Sequence, residues 1–138
     1  MLDAYRELID ELLGAPGAIR ALASDQALTP EAERLIAGMR DRDILVLQRL
    51  TTLLRVPDPR LADIAPLTEG DPAPAGDLMG SADAARGDLV SLLMNLTLKD
   101  WERTAIHDTL GETTLSEEVE RHVDFDEAQL ARIRAALR

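Results

Sequence analysis

Apolar residues recur along this chain at helical spacing in four separate stretches. Leu2, Tyr5, Ile9, Leu12 and Leu13 form a first stripe that runs into Gly14-Ala15-Pro16-Gly17, where the pattern predicts a kink and then a short continuation over 18–23. Thr29-Pro30-Glu31 is a strong start signal: Thr accepts from free amides, Pro fits the first helical position, and Glu faces the positive end of the dipole. The second helix then carries Leu35, Ile36, Met39, Val46, Leu50, Leu53 and Leu54 on one side as far as about Val56. Pro57, Pro59, Pro66, Pro72 and Pro74 mark an irregular crossover over 57–76. A third helix is predicted over 78–98, with Leu78, Ala82, Ala85, Leu89, Leu92, Leu93 and Leu96 on one face. After a connector from Lys99 to Glu112, Thr114 and Glu117 form a capping-box pattern. Leu115, Val119, Val123, Leu130, Ile133 and Leu137 carry the last stripe to the end of the sequence.

No strand pattern accompanies these stripes. Leu and Ala far outnumber Val and Ile, and the aromatic residues are only Tyr5, Trp101 and Phe125, a composition that favours helix packing over sheet. The expected architecture is all-α: one domain over 1–138, a four-helix bundle with a long crossover between the second and third helices. Its two shorter loops should join antiparallel neighbours.

Charge and cysteine content narrow the chemistry. With a net charge of −11, nucleic acid and anionic membrane surfaces would be repelled on average, so neither is expected as a partner. The absence of Cys removes disulfides, thiolate metal sites and Cys nucleophiles. MLDAYRELIDELL carries acids where a secretory signal would carry basic residues, so a cytoplasmic location is expected.

The candidate chemistry lies in residues that break the apolar pattern. Asp126 falls near the centre of the last stripe, between Val119, Val123, Leu130 and Ile133, with His122 one turn before it and Gln129 nearly one turn after. A carboxylate there needs a partner, because burying it unpaired would cost several kcal/mol. Arg42 and Arg49 on the second helix are the expected cations, with His122 a further possible partner. Such a pair would either fix helix register or mark a ligand pocket. His122 with Asp126 is also a possible two-ligand metal face, which Asp41 or Asp43 from the second helix could complete; the plainer reading is that these are solvated acids. No Ser/His/Asp arrangement or phosphate-cradling glycine loop is apparent.

From Leu89 onward the sequence resembles the C-terminal half of the DinB-like superfamily. The motif Trp101-x-Arg103-x3-His107-x3-Gly111, followed by Thr114-Leu115, carries the resemblance, supported on the second helix by Leu35-Ile36-Ala37-Gly38-Met39-Arg40-Asp41 and Arg49-Leu50. The resemblance implies a four-helix bundle, often dimeric, whose usual metal site takes one His from the second helix and a His-x3-His pair from the last. Some members transfer bacillithiol, mycothiol or glutathione, or isomerise maleylpyruvate. Carried over residue by residue, those three ligand positions fall on Gly38, Phe125 and Gln129, while the intervening Asp persists as Asp126. Trp101, Arg103 and His107 read as structural, with Trp covering a bundle end and the other two pinning the connector.

The resulting expectation is a protein without the metal triad and without a cofactor, serving as a non-catalytic small-molecule binder or a structural paralogue, and homodimeric. Asp41, Arg42, Arg49, His122, Phe125, Asp126 and Gln129 are its pocket candidates. The alternatives are a metal-dependent thiol transferase or hydrolase using His122 and Asp126, and an acidic interaction module.

Overall fold

The computed structural model describes residues 2–64, 68–72 and 77–138, so Pro66 and Pro74 lie outside the described residues. Four long helices, α1 (Asp3–Asp25), α2 (Pro30–Arg55), α3 (Leu78–Met94) and α5 (Leu115–Ala136), make the bundle, and a single helical turn, α4 (Leu98–Trp101), follows α3. The starts of α2 and α5 are capped as the sequence predicts: Thr29 accepts from the Ala32 amide at 3.1 Å and Thr114 from the Glu117 amide at 3.2 Å. The reciprocal capping box forms elsewhere, between Thr97 and Asp100, and it restarts the chain as α4 after α3 has ended. That restart is why the third helix stops at Met94 and not near 98.

Each of α1 and α2 packs against both α3 and α5, so the consecutive α1 and α2 lie across the diagonal of the bundle. The expectation that short loops join packed neighbours therefore fails. Thr29 supplies a reason: besides capping α2, its hydroxyl donates to the Ala136 carbonyl at 3.1 Å, anchoring the start of α2 to the end of α5.

The connector holds strands that the sequence reading did not expect. β2 (Thr104–His107) and β3 (Gly111–Thr114) form an antiparallel hairpin, and β1 (Arg60–Leu61), from the crossover, pairs in parallel with β2. These runs are too short to show a period-2 pattern, and one is only two residues long. Gly111 takes φ +75° at the turn, a conformation that a side chain disfavours.

The kink predicted at Gly14–Gly17 is also absent as a break, since α1 runs through Pro16 to Asp25. Proline has no N–H to give the Leu12 carbonyl. The Arg86 guanidinium donates to that carbonyl instead, at 2.7 Å, from α3.

Two apolar clusters fill the bundle. One gathers Leu12, Val46, Leu50, Leu89, Leu93, Trp101, Leu115 and Val119; the other gathers Ala15, Ile19, Leu35, Ile36, Met39 and Ile133. Trp101 is fully buried and stacks on Tyr5 with centroids 4.6 Å apart. Along α2 the clusters divide between Met39 and Val46, and along α5 between Val123 and Ile133. Buried polar side chains occupy that division.

The crossover reaches the bundle through two glycines. A Cβ on Gly38 would stand 2.3 Å from the Thr68 carbonyl oxygen, and one on Gly70 would stand 2.8 Å from the Ala37 carbonyl carbon. Gly70 also donates to the Arg34 carbonyl at 2.9 Å, so residues 68–70 lie directly on α2. Helical Gly→Ala normally gains about 0.5–1 kcal/mol. Gly87→Ala on α3, where a Cβ would meet nothing within 4 Å, should show that gain in urea unfolding. Gly38→Ala should reverse the sign and lose about 1–3 kcal/mol, because the crossover backbone must move. A gain at both positions would mean that the crossover does not pack on α2.

Candidate functional site

The buried polar layer is built around Arg86, which enters the core from α3 only 4% exposed. Its Nη1 and Nη2 donate to the Asp126 carboxylate at 2.7 and 2.9 Å, and its Nε donates to Asp43 at 3.0 Å. With the Leu12 carbonyl, that one guanidinium joins α1, α2 and α5 to its own helix. Burial alone would lower the Arg86 pKa, but the bonds and charges of Asp126 and Asp43 outweigh it and hold it above the usual arginine range.

Asp126 therefore has its partner, but not one of those expected. The sequence reading paired it with Arg42, Arg49 or His122; the structure pairs it with Arg86. A signal for the correct partner was available. Arg86 lies four residues after Ala82 and three before Leu89, on the α3 stripe, and Asp43 lies four after Met39 and three before Val46.

The layer continues outward from Asp43. Its second oxygen lies 2.7 Å from Nε2 of the fully buried His122, whose Nδ1 accepts from Arg42 Nε at 3.2 Å. Because Arg Nε–H can only donate, Nδ1 is the bare nitrogen and Nε2 carries the proton toward Asp43. Arg42 then lies over the Phe125 ring, 4.4 Å from its centroid. Burial lowers the Arg42 pKa and the Arg49 charge adds to that, opposed by the charges of Glu118, Asp126 and Asp43.

Arg49 belongs to a neighbouring cluster. Its Nε and Nη2 form a fork on Glu118 at 3.1 and 3.0 Å, Arg121 adds a bond to Glu118 at 2.9 Å, and Arg49 Nη1 donates to the Ala62 carbonyl at 2.6 Å. Asp41 stays apart, 42% exposed and bonded to Arg40 at 3.1 Å. The pocket candidates thus separate into a chain that runs, through Arg86 and Asp43, from buried Asp126 and His122 to half-buried Arg42 and Phe125, an ion-pair cluster containing Arg49, and an outlying Asp41.

Gln129 lies on the other side of the layer. Fully buried, its amide nitrogen donates to the Leu35 carbonyl at 2.8 Å and to the Thr68 carbonyl, and its oxygen accepts from Arg132 at 3.0 Å. Positions 38 and 129, assigned to metal ligands by the resemblance, thus converge on a single atom, the Thr68 oxygen. The residues present do not fit a divalent ion there. Gly38 and Phe125 have no side-chain donor, and the Gln129 amide is already committed. Among the described residues, no three His, Cys, Asp or Glu side chains are grouped to hold a metal.

In the connector motif, His107 Nδ1 accepts from the Thr109 and Leu110 amides, each at 3.2 Å, and its Nε2 faces Asp63 at 3.2 Å. The Arg103 carbonyl accepts from the Leu115 amide at 2.9 Å at the start of α5. Both residues hold the hairpin in place beside Arg42 and Arg49.

YfiT from Bacillus subtilis, described as a probable metal-dependent hydrolase with an unusual four-helix bundle topology, superposes on this chain with a TM-score of 0.74. The match covers 99% of this chain and 87% of that one at 17% sequence identity. This chain shares the four-helix bundle fold of YfiT. The likeness extends to the architecture alone, the four-helix bundle that the resemblance implies. No family description matches the sequence, and no curated protein does either. Among the described residues, no helix is long and apolar enough to cross a membrane.

Glu118 gives the cluster a pH signature. Burial raises its pKa, but the bonds and charges of Arg49 and Arg121 prevail and hold it below the ordinary value of 4.5. A depressed carboxyl contributes stability that is complete above its unfolded pKa and is lost as the pH falls through the folded one. The difference in unfolding free energy between the native chain and Glu118→Gln should therefore be widest above the ordinary carboxylate range and narrow as the pH falls below it. A difference independent of pH would show that Glu118 is not held by the two arginines.

Proposed function

We propose that this chain is a non-catalytic, small-molecule-binding form of the DinB-like bundle, in which a carbonyl of the crossover stands in place of a metal ion. The observation that carries the reading is the Thr68 oxygen, which receives the Gln129 amide and lies where a side chain at position 38 would begin. YfiT is described as a probable metal-dependent hydrolase. At two of the positions that the resemblance assigns to metal donors, this chain has a glycine that lets backbone approach and a glutamine that hydrogen-bonds it. The alternative, a metal-dependent transferase or hydrolase using His122, Asp126 and a helix-two Asp, would have to dismantle the buried layer. His122 and Asp43 are bonded to each other, and both oxygens of Asp126 are taken by Arg86.

The binding half of the reading rests on the cleft of about 160 Å³ between α2, the start of α5 and the hairpin, onto which Arg42 opens. Elemental analysis after dialysis against zinc, nickel or manganese tests the metal half. The expected content is far below one equivalent per chain, and near-stoichiometric retention of any of the three would overturn it.

A further inference from the structure

Among the described residues lining the cleft beside the hairpin, one guanidinium has both outer nitrogens uncommitted. Arg49 forks onto Glu118, Arg121 binds Glu118 and Thr113 through Nη2, and Asp63 is held by the Thr109 hydroxyl at 2.8 Å and by His107. Arg42 differs from them. Its Nε is tied to His122 and its plane lies over Phe125, yet its two outer nitrogens have no protein partner among the described residues. A guanidinium fixed through Nε and stacked on a ring is a preorganised fork, and its geometry matches a planar oxoanion.

We propose that this cleft binds a small monocarboxylate, gripped by the outer nitrogens of Arg42, with a short apolar body against Ile64 and Leu110. The proposal deepens the small-molecule-binding reading and rests on it. Size is the first argument: about 160 Å³ is below the roughly 300–1,000 Å³ of drug-sized sites. Charge is the second. In the cleft, Arg42, Arg49 and Arg121 exceed Glu118 and Asp63 by one positive charge. Behind it, Asp43 and Asp126 exceed Arg86 by one negative charge. One anionic charge neutralises the cleft's net charge, whereas a dianion such as a phosphate monoester would leave an uncompensated negative charge facing the net negative layer behind. The third is desolvation: burial disfavours the Arg42 charge, and a carboxylate on its fork would restore the hydrogen bonds lost from water.

The test is an NMR titration with butyrate, its neutral isostere butyramide, and doubly ionised propylphosphonate. The Arg42 Nε–H signal is the reporter, because its bond to His122 holds it in place. Butyrate should shift that signal saturably, butyramide should leave it unmoved, and the phosphonate should bind about tenfold more weakly. Arg42→Lys keeps the charge but loses the fork, and should weaken butyrate binding about tenfold, read from the hairpin amides. Leu110→Glu, at the exposed hairpin tip and away from the buried layer, should weaken it by repulsion even if Arg42→Lys fails to fold. No response to butyrate, or an equal response to butyramide, overturns the proposal. If butyrate fails while butyramide or another neutral fragment shifts the cleft signals, the carboxylate assignment falls and the binding reading stands. Silence of every fragment removes both.

Discussion

One guanidinium holds the four helices of this bundle together. Arg86 reaches a backbone carbonyl on α1, a carboxylate on α2 and a carboxylate on α5 from its own position on α3. The α1 contact exists because Pro16 leaves the Leu12 carbonyl without its helical donor. A break in one helix thereby becomes the acceptor that attaches that helix to another. Buried charges of this kind contribute little net stability compared with apolar replacements, but removing one partner strands the others. Their directional bonds specify one packing, with α1 and α2 diagonal, that leucine-to-leucine contacts alone would not select.

The same layer positions the candidate site. From Arg86 the bonds pass through Asp43 to His122 and then to Arg42, so a charge fixed in the core sets the orientation of a guanidinium at the edge of a cleft. On the other side, Gly38 and Gln129 accept the crossover backbone where the resemblance places metal donors. Within the architecture shared with YfiT, backbone and hydrogen bonds occupy one region, and the arginine fork of Arg42 opens into another.

Much of this was legible in the sequence, and the failures have physical causes. Helix positions followed from the apolar period and from Thr29 and Thr114, whose capping is local chemistry. The need of Asp126 for a partner also followed from its place on the stripe. The identity of that partner did not, because Arg86 and Asp43 lie within apolar stripes, whose spacing reads as core. A buried cation and a buried anion at matching depth on two helices are the signal that was passed over. The strands escaped because pairing between 60–61 and 104–107 depends on contacts distant in sequence, which a four-residue run cannot announce. Gly38 read as a lost ligand; its close approach to Thr68 emerges only when the crossover is placed.

A double-mutant cycle on Arg86 and Asp126, followed by urea unfolding, tests the organising role of the layer most directly. Arg86→Met and Asp126→Leu should each cost about 3–5 kcal/mol, since each strands a buried charge. The double variant should cost clearly less than their sum, because the second substitution removes the carboxylate that the first has left unpaired. Additivity within about 0.5 kcal/mol, the behaviour of independent sites, would contradict the account and leave the bundle held by its apolar clusters alone.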